Sequence, residues 1–243
     1  MKLKNDDNRR KFLRVSAIAG AGIVLAACAK KSAENKEKPE EKGGEVTATE
    51  DLMREHGVLR RALLVYAETI PKLRANPSSI APDALQRTAK LFRAFGEDYH
   101  EKKLEEAYIF PAVKKAGGGA ASLPDILIAQ HTRGREITDY IISVTSNAKL
   151  GAANAESLAQ ALVSFVRMYE HHAALEDTIV FPTWKATLTE DQLDEMGDKF
   201  EEIEQQQFGK DGYEDAVKQI SEIEGSLGFA DLALFTAPPP PKV

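Results

Sequence analysis

When the chain is slid along itself by 71 residues, HEKKLEEAYIFP at 100–111 lands on HHAALEDTIVFP at 171–182 without a gap. His, Leu, Glu, Phe and Pro repeat, with Glu106 over Asp177 and Ile109 over Val180. This repeat constrains the fold more than any other feature. Each copy closes a stretch of helical apolar period, so the chain reads as two helical hairpins with a histidine-plus-acid cluster on each second helix. The first helices carry histidines of their own, in His56-x-x-x-Arg60 and His131-x-x-x-Arg135. All five histidines therefore sit in these four places, a distribution that random scatter does not produce.

The apolar period predicts helices over 49–75, 82–109, 124–147 and 154–180, with no alternating strand pattern of useful length. On the first, Leu52, His56, Leu59, Leu63, Ala67 and Ile70 share a face; on the fourth, Leu158, Phe165, Met168, His172, Glu176 and Ile179 form one stripe. Phe110-Pro111 and Phe181-Pro182 are expected to stop or kink their helices. The expected fold is all-α, an up-down-up-down four-helix bundle over 48–185. Two extra C-terminal helices are expected within 186–236, the first opened by the capping box TEDQ at 189–192, and then a Pro-rich tail at 237–243. The aromatic residues Phe200, Phe208, Tyr213, Phe229 and Phe235 of the extension read as packing against the bundle.

Imidazole and carboxylate on a core-facing stripe are costly unless something satisfies them. His172 and Glu176 are four apart, about 40° around a helix, so both can point inward and share a cation. Imidazole plus carboxylate without thiolate suits iron, manganese or zinc. Six or more inward ligands exceed one tetrahedral zinc and suit two carboxylate-bridged metals. His100 and Glu105 are five apart, about 140° past a full turn, and cannot both aim inward from a straight α-helix. Either a π-bulge brings His100 round, or Glu101, four before Glu105, is the ligand beside it. Arg60 and Arg135 either bond carboxylates near the histidines or face solvent. Tyr99 and Tyr169 read as packing residues, and Gly134 as a close approach or a tolerated helix glycine.

REHGVL, YHEKKLEEAYIFP, QHTRGRE and EHHAALEDTIVFP occur in order, one per helix. On these segments the chain resembles the hemerythrin-like family, the His-His-Glu cation-binding domain, over about residues 48–185. The resemblance implies a four-helix bundle with a non-haem di-iron centre that binds O2 or related small molecules. It implies that His56, His100, Glu105, His131, His172 and Glu176 hold two iron ions, with Glu105 and Glu176 bridging them. An oxygen-carrying hemerythrin has a second histidine one turn after the first on the third helix; here that position is Arg135. His171, on the flank of its helix, is the candidate for a fifth imidazole. Fewer histidines leave the iron less protected and weaken the case for simple oxygen carriage.

The N-terminus reads as an address. NRRKFLRVS at 8–16 precedes a small-residue apolar run too short to span a bilayer. The arginine pair resembles a twin-arginine signal over 1–27, and LAAC at 25–28 resembles a lipoprotein cleavage box. The expectation is export to the bacterial cell envelope and a lipid anchor on Cys28, the only cysteine, facing the periplasm or exterior. Residues 28–47 read as a flexible charged tether. The net charge of −6, more acidic still without the signal, argues against nucleic acid. The expected function is a di-iron protein that meets O2, NO or peroxide, for sensing, scavenging or iron handling. The alternatives are a di-iron oxidase or peroxide-reducing enzyme, and a zinc or metal-free module docking a protein partner.

Overall fold

The computed structural model describes residues 46–146 and 150–241. The signal, Cys28 and all but the end of the tether lie outside the described residues. Among the described residues the regular structure is all helical, with no strand.

Helix α1, Ala48–Ala75, starts where the Thr47 side chain accepts from the Glu50 amide. Glu50 and Asp51 in its first turn and Lys72 and Arg74 in its last complement the helix dipole. The second rod opens as α2, Pro82–Leu91, with proline where a missing N–H costs nothing. It continues without a break into a π-helical segment, Phe92–Ile109, and then into α3, Phe110–Ala116. Gly117, at φ 76°, ends it in a conformation that a side chain would strain. The third rod is α4, Leu123–Val144. The fourth is α5, Ala152–Leu175, followed by a π segment, Glu176–Val180, and α6, Phe181–Lys185.

Phe-Pro therefore does not stop either rod. In each, the phenylalanine amide bonds five residues back, Phe110 to Glu105 and Phe181 to Glu176. The proline follows at the start of the next α segment. A residue without an N–H is suited to the place where the ladder changes from i→i+5 to i→i+4, because it has no donor to strand. The same segment corrects the expected inner stripe of the fourth rod. Beyond Glu176 the wider turn carries Val180, not Ile179, into the core, and Ile179 is exposed.

α1 packs chiefly on α5, and α4 packs on α2, α5 and the first π segment. Between them Tyr66, Phe92, Phe165 and Tyr169 meet edge-on or tilted at 4.6–5.7 Å between ring centroids. The extension comprises α7, Glu190–Phe208, opened by the Thr189–Gln192 capping box, and α8, Gly212–Leu227, capped by Asp211. Phe200 stacks on Trp184, Phe208 lies edge-on to Tyr99, and Ile220 and Ile223 are buried. Phe229 packs at the edge of the core under Lys72 of α1, Phe235 lies edge-on to it, and Leu232, Leu234 and Phe235 remain exposed.

One acid of this core lies away from the histidines. Glu97 is fully buried; Thr138 donates to it at 2.6 Å and the Arg93 guanidinium lies 2.8 Å away. Burial, with Glu101 one turn on, outweighs these partners and pushes its carboxyl up to about 7. The folded state then holds a proton that the unfolded chain releases above its ordinary value of 4.5, so stability falls as pH rises from there to about 7. Glu97→Gln is expected to remove on the order of 3 kcal/mol of that pH-dependent loss. Urea unfolding of both proteins at pH 5 and pH 8 checks this: the variant gains on wild type at the higher pH.

Candidate metal centre

His56 from α1 and His100 from the first π segment face each other Nε2 to Nε2 at 3.0 Å. His131 from α4 and His172 from α5 do the same at 3.1 Å. Two carboxylates join the pairs. Glu105 sets one oxygen 3.2 Å from His100 Nε2 and the other 3.4 Å from His131 Nε2. Glu176 sets one oxygen 3.0 Å from His172 Nε2 and the other 3.5 Å from His56 Nε2. All six side chains are buried. None of the four carboxylate oxygens has a hydrogen bond of acceptable geometry.

The outer nitrogen of every imidazole is held. His56 Nδ1 lies 2.7 Å from Asp177, His100 Nδ1 2.7 Å from Glu55, and His131 Nδ1 2.9 Å from Glu106. His172 Nδ1 lies 2.9 Å from the Gln130 side-chain oxygen. An ionised carboxylate or amide oxygen only accepts, so each Nδ1 carries the proton. In a neutral ring this leaves the Nε2 lone pair pointing inward. Arg60 bonds Asp177, and Arg135 bonds Glu106 at 2.7 Å and Glu101 at 3.2 Å. Phe181 stacks over His56 and Phe110 over His131.

Backbone geometry explains the unequal spacings. Where the ladder runs i→i+5, residues five apart stand one above the other, so His100 and Glu105 share a face. α5 remains α-helical to Leu175, and there the partner of Glu176 four before it, His172, faces inward. The ungapped repeat sets His100 over His171, but His171 is exposed on the flank and takes no place in the cluster. Glu101 is buried away from the Nε2 nitrogens, 3.8 Å from His131 Nδ1, where Tyr169 donates to it at 2.8 Å.

Protons distribute unequally over the cluster. Burial lowers His56, and burial with the neighbouring His131 lowers His172 to about 4. Burial acts on His100 and His131 too, but their carboxylates win. Glu105 and Glu55 hold His100 well above the usual range, and Glu101, Glu105 and Glu106 hold His131 at about 10. Each facing pair thus combines one imidazole that favours the cationic form with one that favours the neutral form. Burial and Glu105 beside it raise Glu176, whereas His100 and His131 hold the equally buried Glu105 low. A cation entering here displaces protons, so its affinity rises with pH.

Glu105, His131, His172 and Glu176 can offer atoms to one ion, and His56, His100 and Glu105 to another. These donors suit the cations expected from imidazole and carboxylate, because inward ring nitrogens and unbonded buried oxygens are costly until a cation lies between them. Sequence reasoning missed Glu55 and Gln130, each directly before a histidine of the cluster and clamping the facing one. It took Tyr99 and Tyr169 for packing residues; each donates to a carboxylate, Glu55 at 3.1 Å and Glu101 at 2.8 Å.

Against known proteins, the family model for the hemerythrin HHE cation binding domain matches residues 47–184. Uncharacterized proteins of Mycobacterium bovis and of two Mycobacterium tuberculosis strains are each 42% identical over 233 residues, covering 94% of this chain and 90% of theirs. No solved structure matches.

Gly134 admits the Tyr169 hydroxyl, with which a Cβ at that position would collide. Gly134→Ala is therefore expected to cost about 1–3 kcal/mol. Adding Tyr169→Phe, which removes the colliding oxygen, should recover part of the loss in a double-mutant cycle read by urea unfolding.

Proposed function

The chain belongs to the hemerythrin HHE cation-binding family, and from that premise we propose that it holds two iron ions and engages a small molecule at them. In this reading His56 and His100 hold one ion, His131 and His172 the other, and Glu105 and Glu176 bridge the two. The four rods form an up-down-up-down bundle around them. One observation carries the reading: each bridging acid presents one oxygen to each histidine pair, and none of those oxygens is otherwise bonded.

Iron in such a site supplies reversible one-electron chemistry and an open position for a ligand. The chain's own residues do the rest. Asp177, Glu55, Glu106 and Gln130 orient the imidazoles. Leu59, Leu63, Phe92 and Ala173 line the dry side of a cavity that reaches His56, His100 and His172. It is small, with room for about one water. Room on that scale favours O2, NO or peroxide over any larger substrate.

The enzyme reading has an observation in its favour. The position one turn after His131 is Arg135, committed to Glu106 and Glu101, so four imidazoles rather than five serve the centre. A di-iron oxidase or peroxide-reducing enzyme fits that poorer donor set; repeated turnover of peroxide with a reductant, against a stable oxygenated spectrum, separates the two. The third reading, a zinc or metal-free module docking a protein partner, is separated by metal analysis.

The protein's place is proposed from its N-terminus: export by the twin-arginine route and a lipid anchor at Cys28. Among the described residues no helix is long and apolar enough to cross a membrane.

Metal analysis with optical spectra in the presence and absence of O2 is the decisive test. Two iron ions per chain and an O2-sensitive spectrum are expected; one zinc and no iron would refute the reading. His172→Ala should weaken iron binding by at least the ~10–100-fold typical of losing a ligand's supporting partner. It should also lower the Tm of the iron-loaded protein, because binding energy is folding energy in such sites; unchanged iron content counts against the assignment. Cys28→Ser should move the protein from the membrane to the soluble fraction, and retention on membranes argues against the anchor.

A further inference from the structure

The two halves of the centre follow one plan, which makes a departure in either half easy to see. In each, the histidine of the first rod is clamped by an acid from the other half that is itself tied to an arginine: Asp177 with Arg60, Glu106 with Arg135. In each, the residue directly before that histidine clamps the histidine of the next rod. In the first half it is Glu55, on His100. In the second it is Gln130, on His172. Three imidazoles thus donate to carboxylates and one donates to a neutral amide.

We propose that Gln130 makes the two metal positions inequivalent, so that the ion held by His131 and His172 is the more readily reduced. The proposal rests on the di-iron reading above. A carboxylate behind an imidazole draws on its Nδ1 proton and makes Nε2 a stronger donor, which favours the more highly charged ion. An amide oxygen does so less. His172 is the weakest donor of the four, and the ion it serves is stabilised least in the ferric state. Glu101 also places negative charge on this side. It lies 3.8 Å from His131 Nδ1, where Arg135 bonds it and Tyr169 donates to it; it makes no bond to His172, whose Nδ1 partner remains the neutral Gln130 amide. Gln130 is thereby a positioning residue that would set a potential through His172.

The test is a potentiometric titration of the full-length, iron-loaded protein, with the half-reduced state followed by electron paramagnetic resonance. Wild type is expected to show two separated midpoints and a well-populated half-reduced state. Gln130→Glu should lower the upper midpoint by about 59 mV for each tenfold gain in preference for ferric over ferrous ion. The lower midpoint should move less, and the half-reduced population should fall. Glu55→Gln should narrow the gap from the other side by raising the lower midpoint. A merely structural role for Gln130 would move both midpoints together or neither, and either result overturns the proposal. If Gln130→Glu folds poorly, Glu55→Gln decides alone, and an unchanged or widened gap overturns it. A wild-type chain that takes up fewer than two iron ions overturns the di-iron reading and this proposal together, as metal analysis shows before any potential is measured.

Discussion

The structure depends on a hydrogen bond made on the far side of each imidazole. With Nδ1 held by Asp177, Glu55, Glu106 or Gln130, the ring cannot turn, and its remaining nitrogen has one direction left. Four rings fixed in this way turn their Nε2 nitrogens toward one another inside the buried core. Such an arrangement is unfavourable taken alone and makes sense as a receptacle for positive charge. The surrounding aromatic layer and the arginines on Asp177 and Glu106 serve that geometry.

The backbone contributes as much as the side chains. A regular α-helix lets His172 and Glu176 act together but would turn His100 and Glu105 apart. The i→i+5 ladder over Phe92–Ile109 resolves this by widening the turn, and the Phe-Pro pair returns the rod to α geometry once both residues are aimed. Phenylalanine then stacks on a histidine of the neighbouring rod while proline has no donor to leave unpaired. Two residues that look like a helix terminator in a linear reading are a junction between two helical pitches.

That difference shows what was legible in advance. The all-helical class followed from the apolar period, and the five-residue gap between His100 and Glu105 left open whether Glu101 was the ligand or the helix held a wider turn. Its extent back to Phe92 carried no side-chain signal, because backbone hydrogen bonding decides it. Arg60 and Arg135, one turn after their histidines, hinted at nearby acids without naming them. Glu55 and Gln130 gave no warning, since a polar residue next to an inward one on a helix normally faces water. Tyr169 could not be told from packing until its hydroxyl was seen in the space that Gly134 leaves.

The clamps also tie the halves of the chain together. His56 and His100 come from the same hairpin, yet the acid holding His56 and the ring covering it both come from the fourth rod; His131 and His172 borrow in the same way from the second. Neither hairpin completes its own pair of imidazoles. A protease cut in the connection between them would leave fragments that are interdependent rather than modular, each structured only while the other stays in place.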